Sequence, residues 1–250
     1  MIELKGLTGL VTGGTSGIGL ATATALLGRG VNVAINARRP NPQVLARLNA
    51  EGAPHGARAI FVAGDAALPQ TAIALAAEAT KTFGRIDTVV HAAGGPAPGT
   101  ALDISPEDWL AAFSIHVHSA FHLFRATHAG LAAAGGSMTL LSSAAGLRGC
   151  PGSVAYQVVK ASLIQLARAL ARDHAAEGIR VNCVAPGIIR TPFQHAMTEE
   201  ARLNNLANRI PLKREGTPQD VAALILQLIE NDFITGETMV IDGGMSMRMV

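Results

Sequence analysis

Cysteine, aromatic side chains and charge are all scarce in this chain. Two cysteines, Cys150 and Cys183, among 250 residues leave no disulfide framework and no metal-ligand spacing, which fits free thiols in a reducing compartment. Charged residues make up 15%, and 20 Lys plus Arg against 18 Asp plus Glu leave a formal charge of +2. That balance is too small for a nucleic-acid footprint, and the scattered basic residues form no polybasic membrane anchor. No stretch approaches the ~18 uninterrupted apolar residues of a spanning helix. Met1 to Gly6 leads straight into strand-like sequence, so the chain reads as cytoplasmic. Hydrophobic residues, by contrast, reach 49%, enough for the core of one α/β domain spanning residues 1–250. No low-complexity linker or internal repeat divides it.

Apolar runs of strand length alternate with Ala- and Leu-rich segments of helical period, the rhythm of βα units around a parallel sheet. Strands are predicted at Leu7–Val11, Asn32–Asn36, Ala59–Val62, Thr88–His91, Ser137–Ser142, Arg180–Val184 and Thr238–Ile241. Helices are predicted at Ile18–Arg29, Val44–Glu51, Gln70–Phe83, Pro106–Ala134, Ala155–Glu177 and Pro218–Ile229. Residues 191–214 lack a strong period and interrupt the rhythm after a strand, as a substrate lid does.

After the first strand comes Thr12-Gly13-Gly14-Thr15-Ser16-Gly17-Ile18-Gly19. Glycines let a backbone turn sharply and approach a pyrophosphate closely, and the following helix offers unpaired N–H groups. Gly13, Gly17 and Gly19 are the binding candidates, with Thr15, Ser16 and Ile18 as further contacts. The second strand ends Asn36-Ala37-Arg38-Arg39 without the carboxylate that would hold ribose hydroxyls. Two guanidiniums suit a 2′-phosphate, which points to NADP(H) over NAD(H).

Tyr156, the only tyrosine, stands one helical turn before Lys160. A neighbouring ammonium favours phenolate and is expected to draw the phenol from ~10 toward the working range of a general acid or base. Upstream, a strand ends Leu141-Ser142-Ser143, and a hydroxyl at that edge faces a cofactor crevice. Physics alone leaves both serines open.

Together these residues resemble the short-chain dehydrogenase/reductase family, from Thr8 to about Gly244. The resemblance implies a Rossmann-type doubly wound fold with a seven-stranded parallel sheet flanked by helices on both faces. It implies Ser143 as the catalytic serine, Tyr156 as the proton carrier and Lys160 as the partner of both Tyr156 and the nicotinamide ribose. It also assigns Asp65 to the adenine, Ala92-Ala93-Gly94 to the turn beside the cofactor, and Pro186, Gly187, Ile189 and Thr191 to cofactor binding; Asn182 also fits. Hydride transfer between NADP(H) and a carbonyl or secondary alcohol follows from it.

Two positions depart from the family pattern. The usual Asn-Asn-Ala-Gly turn reads His91-Ala92-Ala93-Gly94, and the asparagine that completes the catalytic tetrad aligns with His116. An imidazole in that relay, with an ordinary pKa of ~6.5, would make activity pH-dependent near neutrality. Histidines 116, 118, 122 and 128 fall on one predicted helix, but no carboxylate accompanies them at metalloprotease spacing. Packing or a subunit contact is expected of them, as of Trp109, Phe113, Phe121 and Phe124, and no metal.

The family serves sugars, polyols, steroids, quinones, acyl thioesters and small ketones, so the substrate must be read from the pocket. Pro96, Leu147, Cys150, Ile188, Phe193 and Met197 would line it, with Arg148 and His195 as polar anchors. Where carrier-protein-dependent ketoacyl reductases present arginines, this chain has Leu131-Ala132-Ala133-Ala134 and Ala176-Glu177. Two other readings are a non-redox nicotinamide enzyme of the epimerase kind and a non-catalytic dinucleotide sensor. The apolar tail Met245 to Val250 and the resemblance imply a homotetramer, with a dimer as the smaller alternative.

Overall fold

The computed structural model describes residues 1–194 and 197–247. Its seven strands are β1 (Thr8–Thr12), β2 (Asn32–Ala37), β3 (Ala59–Ala63), β4 (Thr88–His91), β5 (Ser137–Leu141), β6 (Arg180–Pro186) and β7 (Thr238–Ile241). They form one parallel sheet in the order β3-β2-β1-β4-β5-β6-β7. The order reverses between β1 and β4, and in such sheets a crevice opens there at the carboxyl ends of the strands.

Successive strand residues point to opposite faces, so adjacent apolar residues feed separate cores. Leu10, Val89, Leu140 and Cys183 face a layer built from α3 (Pro69–Phe83), α5 (Ser119–Ala134) and α6 (Val154–His174). Val11, Val90, Leu141 and Val184 face the opposite layer of α1 (Gly17–Leu27), α2 (Pro42–Gly52) and α8 (Pro218–Glu230). Burial on both faces explains why the strands read as unbroken apolar runs. No helix among the described residues is long and apolar enough to cross a membrane.

Two expectations change. The predicted single helix Pro106–Ala134 is α4 (Pro106–Phe113) and α5, joined by a widened turn, Ser114–His118, where Ser119 N–H reaches Ser114 O five residues back. Such insertions concentrate at functional sites, and this one carries His116. Residues 197–214 also hold more regular structure than their weak period suggests, containing the short helix α7 (Glu199–Asn204), started by Thr198, whose hydroxyl accepts from Ala201 N–H. His195 lies outside the described residues.

Candidate active site

The glycine turn joins β1 to α1. A Cβ on Gly19 would lie near Gly13 O (contact under 2.5 Å), and Gly13 and Gly17 have φ of +66° and +52°. Ser16 makes no side-chain bond to the start of α1 and its first N–H groups, leaving the geometry that anion binding at a helix N-terminus requires. Thr15 and Ile18 flank the turn, and Thr191 approaches the Gly17 Cα from the other side of the crevice. These residues fit a dinucleotide pyrophosphate. Gly19→Ala is expected to destabilise the fold by about 1–3 kcal/mol through overpacking and to weaken dinucleotide binding; denaturant titration and fluorescence titration with NADPH measure the two. Unchanged values in both would contradict this packing account.

Arg38 and Arg39 follow β2, exposed and without an ion pair or hydrogen bond among the described residues. Asp65 follows β3, and its Oδ1 accepts from Ala67 N–H at 3.0 Å. Gly187 sits where a Cβ would meet Asp242, and its N–H bonds Ile241 O at 3.0 Å. Pro186 closes β6, whereas the Ile189 side chain turns into the core beside α1 and α8.

At the β1/β4 reversal, Thr12 Oγ1 contacts His91 Nδ1 at 2.9 Å and accepts from Ala93 N–H at 3.1 Å. His91 Nε2 contacts Ser119 Oγ at 3.0 Å. The His91 swap is therefore a buried brace between Thr12 and Ser119 that sequence reasoning missed; its two partners come from β1 and α5, which share no motif with it. Burial, reinforced by Lys160, holds its imidazole down at about 3.

The structure separates the two serines. Ser142 is buried and donates to Lys160 O at 2.7 Å. Ser143 is only half-buried, accepts from Ala145 N–H at 3.2 Å, donates to Pro186 O at 3.5 Å and favours the Tyr156 phenolate. Lys160 is 6% exposed; its Nζ donates to Leu141 O at 2.7 Å and stands 5.5 Å from the centre of the Tyr156 ring. Burial pushes Lys160 down to about 8. Tyr156 moves upward from its ordinary value, because burial outweighs the influence of Ser143. The expected lowering by Lys160 is thus corrected: the ammonium is bound to a backbone carbonyl beneath the ring, and the phenol is a protonated donor at neutral pH.

His116, 1% exposed, contacts Gly95 O through Nε2 at 3.0 Å and packs edge-on to Tyr156 with ring centres 5.9 Å apart. Its Nδ1 is buried with no hydrogen-bond partner among the described residues. The absence of a side chain at Gly94 makes room for it, since a Cβ there would lie 2.5 Å from its Cε1. Burial, then Lys160, drives His116 far below the ordinary imidazole value. This corrects the expectation of a titration near neutrality, because a charged ring here would be buried beside the Lys160 ammonium.

Phe193 stacks at 5.8 Å on Tyr156 and so reaches the pocket. Arg148 Nε donates to Ser246 O at 3.1 Å, joining the loop after β5 to the C-terminal segment. Cys150 N–H is held by Gln157 Oε1 at 2.8 Å.

A protein-family model described as Enoyl-(Acyl carrier protein) reductase matches residues 13–246. A tropinone reductase homologue of Arabidopsis thaliana is 35% identical over 98% of this chain and 96% of its own length. A short-chain type dehydrogenase/reductase from Mycobacterium ulcerans superposes with a TM-score of 0.94 at 29% identity, covering 99% and 92% of the two chains. L-Sorbose reductase from Gluconobacter frateurii, complexed with NADPH and L-sorbose, gives 0.89 at 26% identity over 99% and 100%. The 3-oxoacyl-[acyl-carrier protein] reductase from Brucella melitensis, in complex with NAD, gives 0.91 at 30% identity over 98% of each chain.

Proposed function

Because the chain belongs to the short-chain dehydrogenase/reductase family, we propose that it reduces the carbonyl of a small organic substrate with NADPH. Hydride transfer with a nicotinamide cofactor on a small molecule is the chemistry of that family. The observation that carries the reading is the meeting of Ser143, Tyr156 and Lys160 at the carboxyl edge of the sheet. A bound nicotinamide supplies the hydride. Tyr156, kept protonated by burial, gives its proton to the carbonyl oxygen, and Ser143 donates a hydrogen bond to the same oxygen. Lys160 holds the nicotinamide ribose and keeps positive charge under the phenol as it loses its proton.

The glycine turn with Thr15, Ser16 and Ile18 holds the pyrophosphate, Asp65 the adenine, and Ala92, Ala93, Gly94, Pro186, Gly187, Ile189 and Thr191 the nicotinamide end. His116 acts as a neutral positioning residue. With Nε2–H given to Gly95 O, its Nδ1 remains an acceptor for the proton relay that an asparagine serves elsewhere in the family. Residues 191–214 form the lid over a single catalytic domain, with Phe193 against Tyr156. Ala134 and Glu177, where a carrier-docking enzyme presents arginines, favour a free ketone over a carrier-bound thioester. Met239 and Val240, exposed on the edge strand β7, support assembly as a homotetramer.

NADPH preference rests on Arg38 and Arg39. Charge-assisted bonds to a 2′-phosphate contribute about 1.5–3 kcal/mol, so Arg38→Ser with Arg39→Ser is expected to raise KM for NADPH roughly 10- to 100-fold while KM for NADH stays within about threefold. Steady-state kinetics with both cofactors tests this. Equal losses for NADPH and NADH would remove the cofactor assignment while leaving the carbonyl chemistry standing.

A further inference from the structure

At the end of the sheet opposite the crevice, three ligand-type side chains converge. His128 lies on α5, His174 closes α6, and Glu177 follows in the turn toward β6. His128 Nε2 is 2.6 Å from Glu177 Oε2, His174 Nδ1 is 3.0 Å from Glu177 Oε1, and the ligand atoms of all three residues lie within 4.8 Å of one another. The His174 contact is a hydrogen bond. The shorter His128 contact is not: that nitrogen is buried without a hydrogen-bond partner among the described residues, so its N–H axis misses the oxygen beside it. A buried imidazole nitrogen held against a carboxylate without a hydrogen bond of its own, beside a second imidazole on the same carboxylate, is arranged as a ligand around a common centre.

The surroundings hold that arrangement. Phe124 packs against both imidazoles, with ring centres 5.8 Å from His128 and 4.8 Å from His174, and the two imidazoles stand edge to face at 4.9 Å. Fixed ring orientation is what a metal site needs from its second layer of contacts. The side chains are 37%, 24% and 39% exposed, which leaves an entry path and room for water as a further ligand.

We propose that His128, His174 and Glu177 bind a divalent transition-metal ion of the zinc type. Two imidazoles and one carboxylate form a borderline donor set suited to zinc, with an open position for water. Bonds of about 2.0–2.1 Å place tetrahedral neighbours about 3.3 Å apart, which small side-chain rotations reach from the observed spacing. His174 and Glu177 come from one turn and His128 from the neighbouring helix, so the ion joins α5 to α6, the helix that carries Tyr156 and Lys160. The sequence alone grouped His128 with His116, His118 and His122; the fold instead pairs it with residues from the next helix.

The test uses the full-length protein, stripped with a chelator and titrated with zinc chloride by isothermal calorimetry. One zinc per chain is expected. His128→Gln and His174→Gln, measured separately, should each weaken binding by about 100-fold or more, and Glu177→Gln by about 10- to 100-fold. In the wild type, zinc at about 100 times Kd should raise Tm by about 5–10 °C, reversed by chelator. Absence of zinc uptake by the wild type overturns the proposal without any variant, and so does undiminished uptake by both histidine variants.

Discussion

Tyr156→Phe should lower kcat for carbonyl reduction by about 100- to 10,000-fold, the usual contribution of a positioned general acid, while the Kd for NADPH stays within about twofold. The substitution removes one oxygen and preserves the ring, so the contacts with Phe193, His116 and Lys160 persist. Loss confined to kcat is the signature of an interaction made in the transition state. Stopped-flow single turnovers, paired with equilibrium binding of NADPH, separate the two quantities. Near-wild-type single-turnover rates would remove Tyr156 as the proton donor.

Lys160→Met should inactivate the enzyme and yet make the protein more stable at neutral pH. Burial holds the folded-state pKa of Lys160 at about 8, below an exposed lysine. The folded chain therefore binds this proton less tightly than the unfolded chain. Stability linked to the group is fully present above the unfolded value of ~10.4 and is lost as pH falls through about 8. Removing the amine relieves that cost below pH 8, offset by about 1 kcal/mol for the lost bond to Leu141 O, for a net gain of roughly 2 kcal/mol. The gain should shrink between pH 8 and 10.4 and reverse above it. Urea unfolding of both proteins at pH 6.5 and pH 10.5 measures the difference, and a gap independent of pH would mean that the charge carries no burial cost. The predicted loss of kcat, about 100-fold or more, reflects removal of the positive charge under Tyr156.

Much of this was legible because the information lay in contiguous segments. Each predicted strand overlaps an observed one, since a parallel sheet buried on both faces needs unbroken apolar runs. The glycine turn and the Tyr156–Lys160 pair were legible for the same reason, each held within a single turn. Ser142 and Ser143 could not be separated by physics, because adjacent residues leaving a strand point apart and only the fold shows which direction holds Lys160 O. The break at Ser114–His118 was invisible, as no Pro or Gly marks it; what accompanies it is His116 lodged against Gly95, a tertiary contact. The bracing by His91 and the low pKa of His116 depend on burial between elements distant in sequence. For α7 the signal was present in Thr198-Glu199-Glu200, a capping residue followed by acids, and the weak period of the surrounding segment hid it.

Carbonyl reduction by this protein is measured by the initial rate of NADPH and NADH oxidation against small ketones, diketones, quinones, keto sugars and acyl thioesters. Ketone-dependent oxidation is expected, at a higher kcat/KM with NADPH than with NADH and at a higher rate on free ketones than on acyl thioesters. Tight NADPH binding with no oxidation across the whole panel would contradict it.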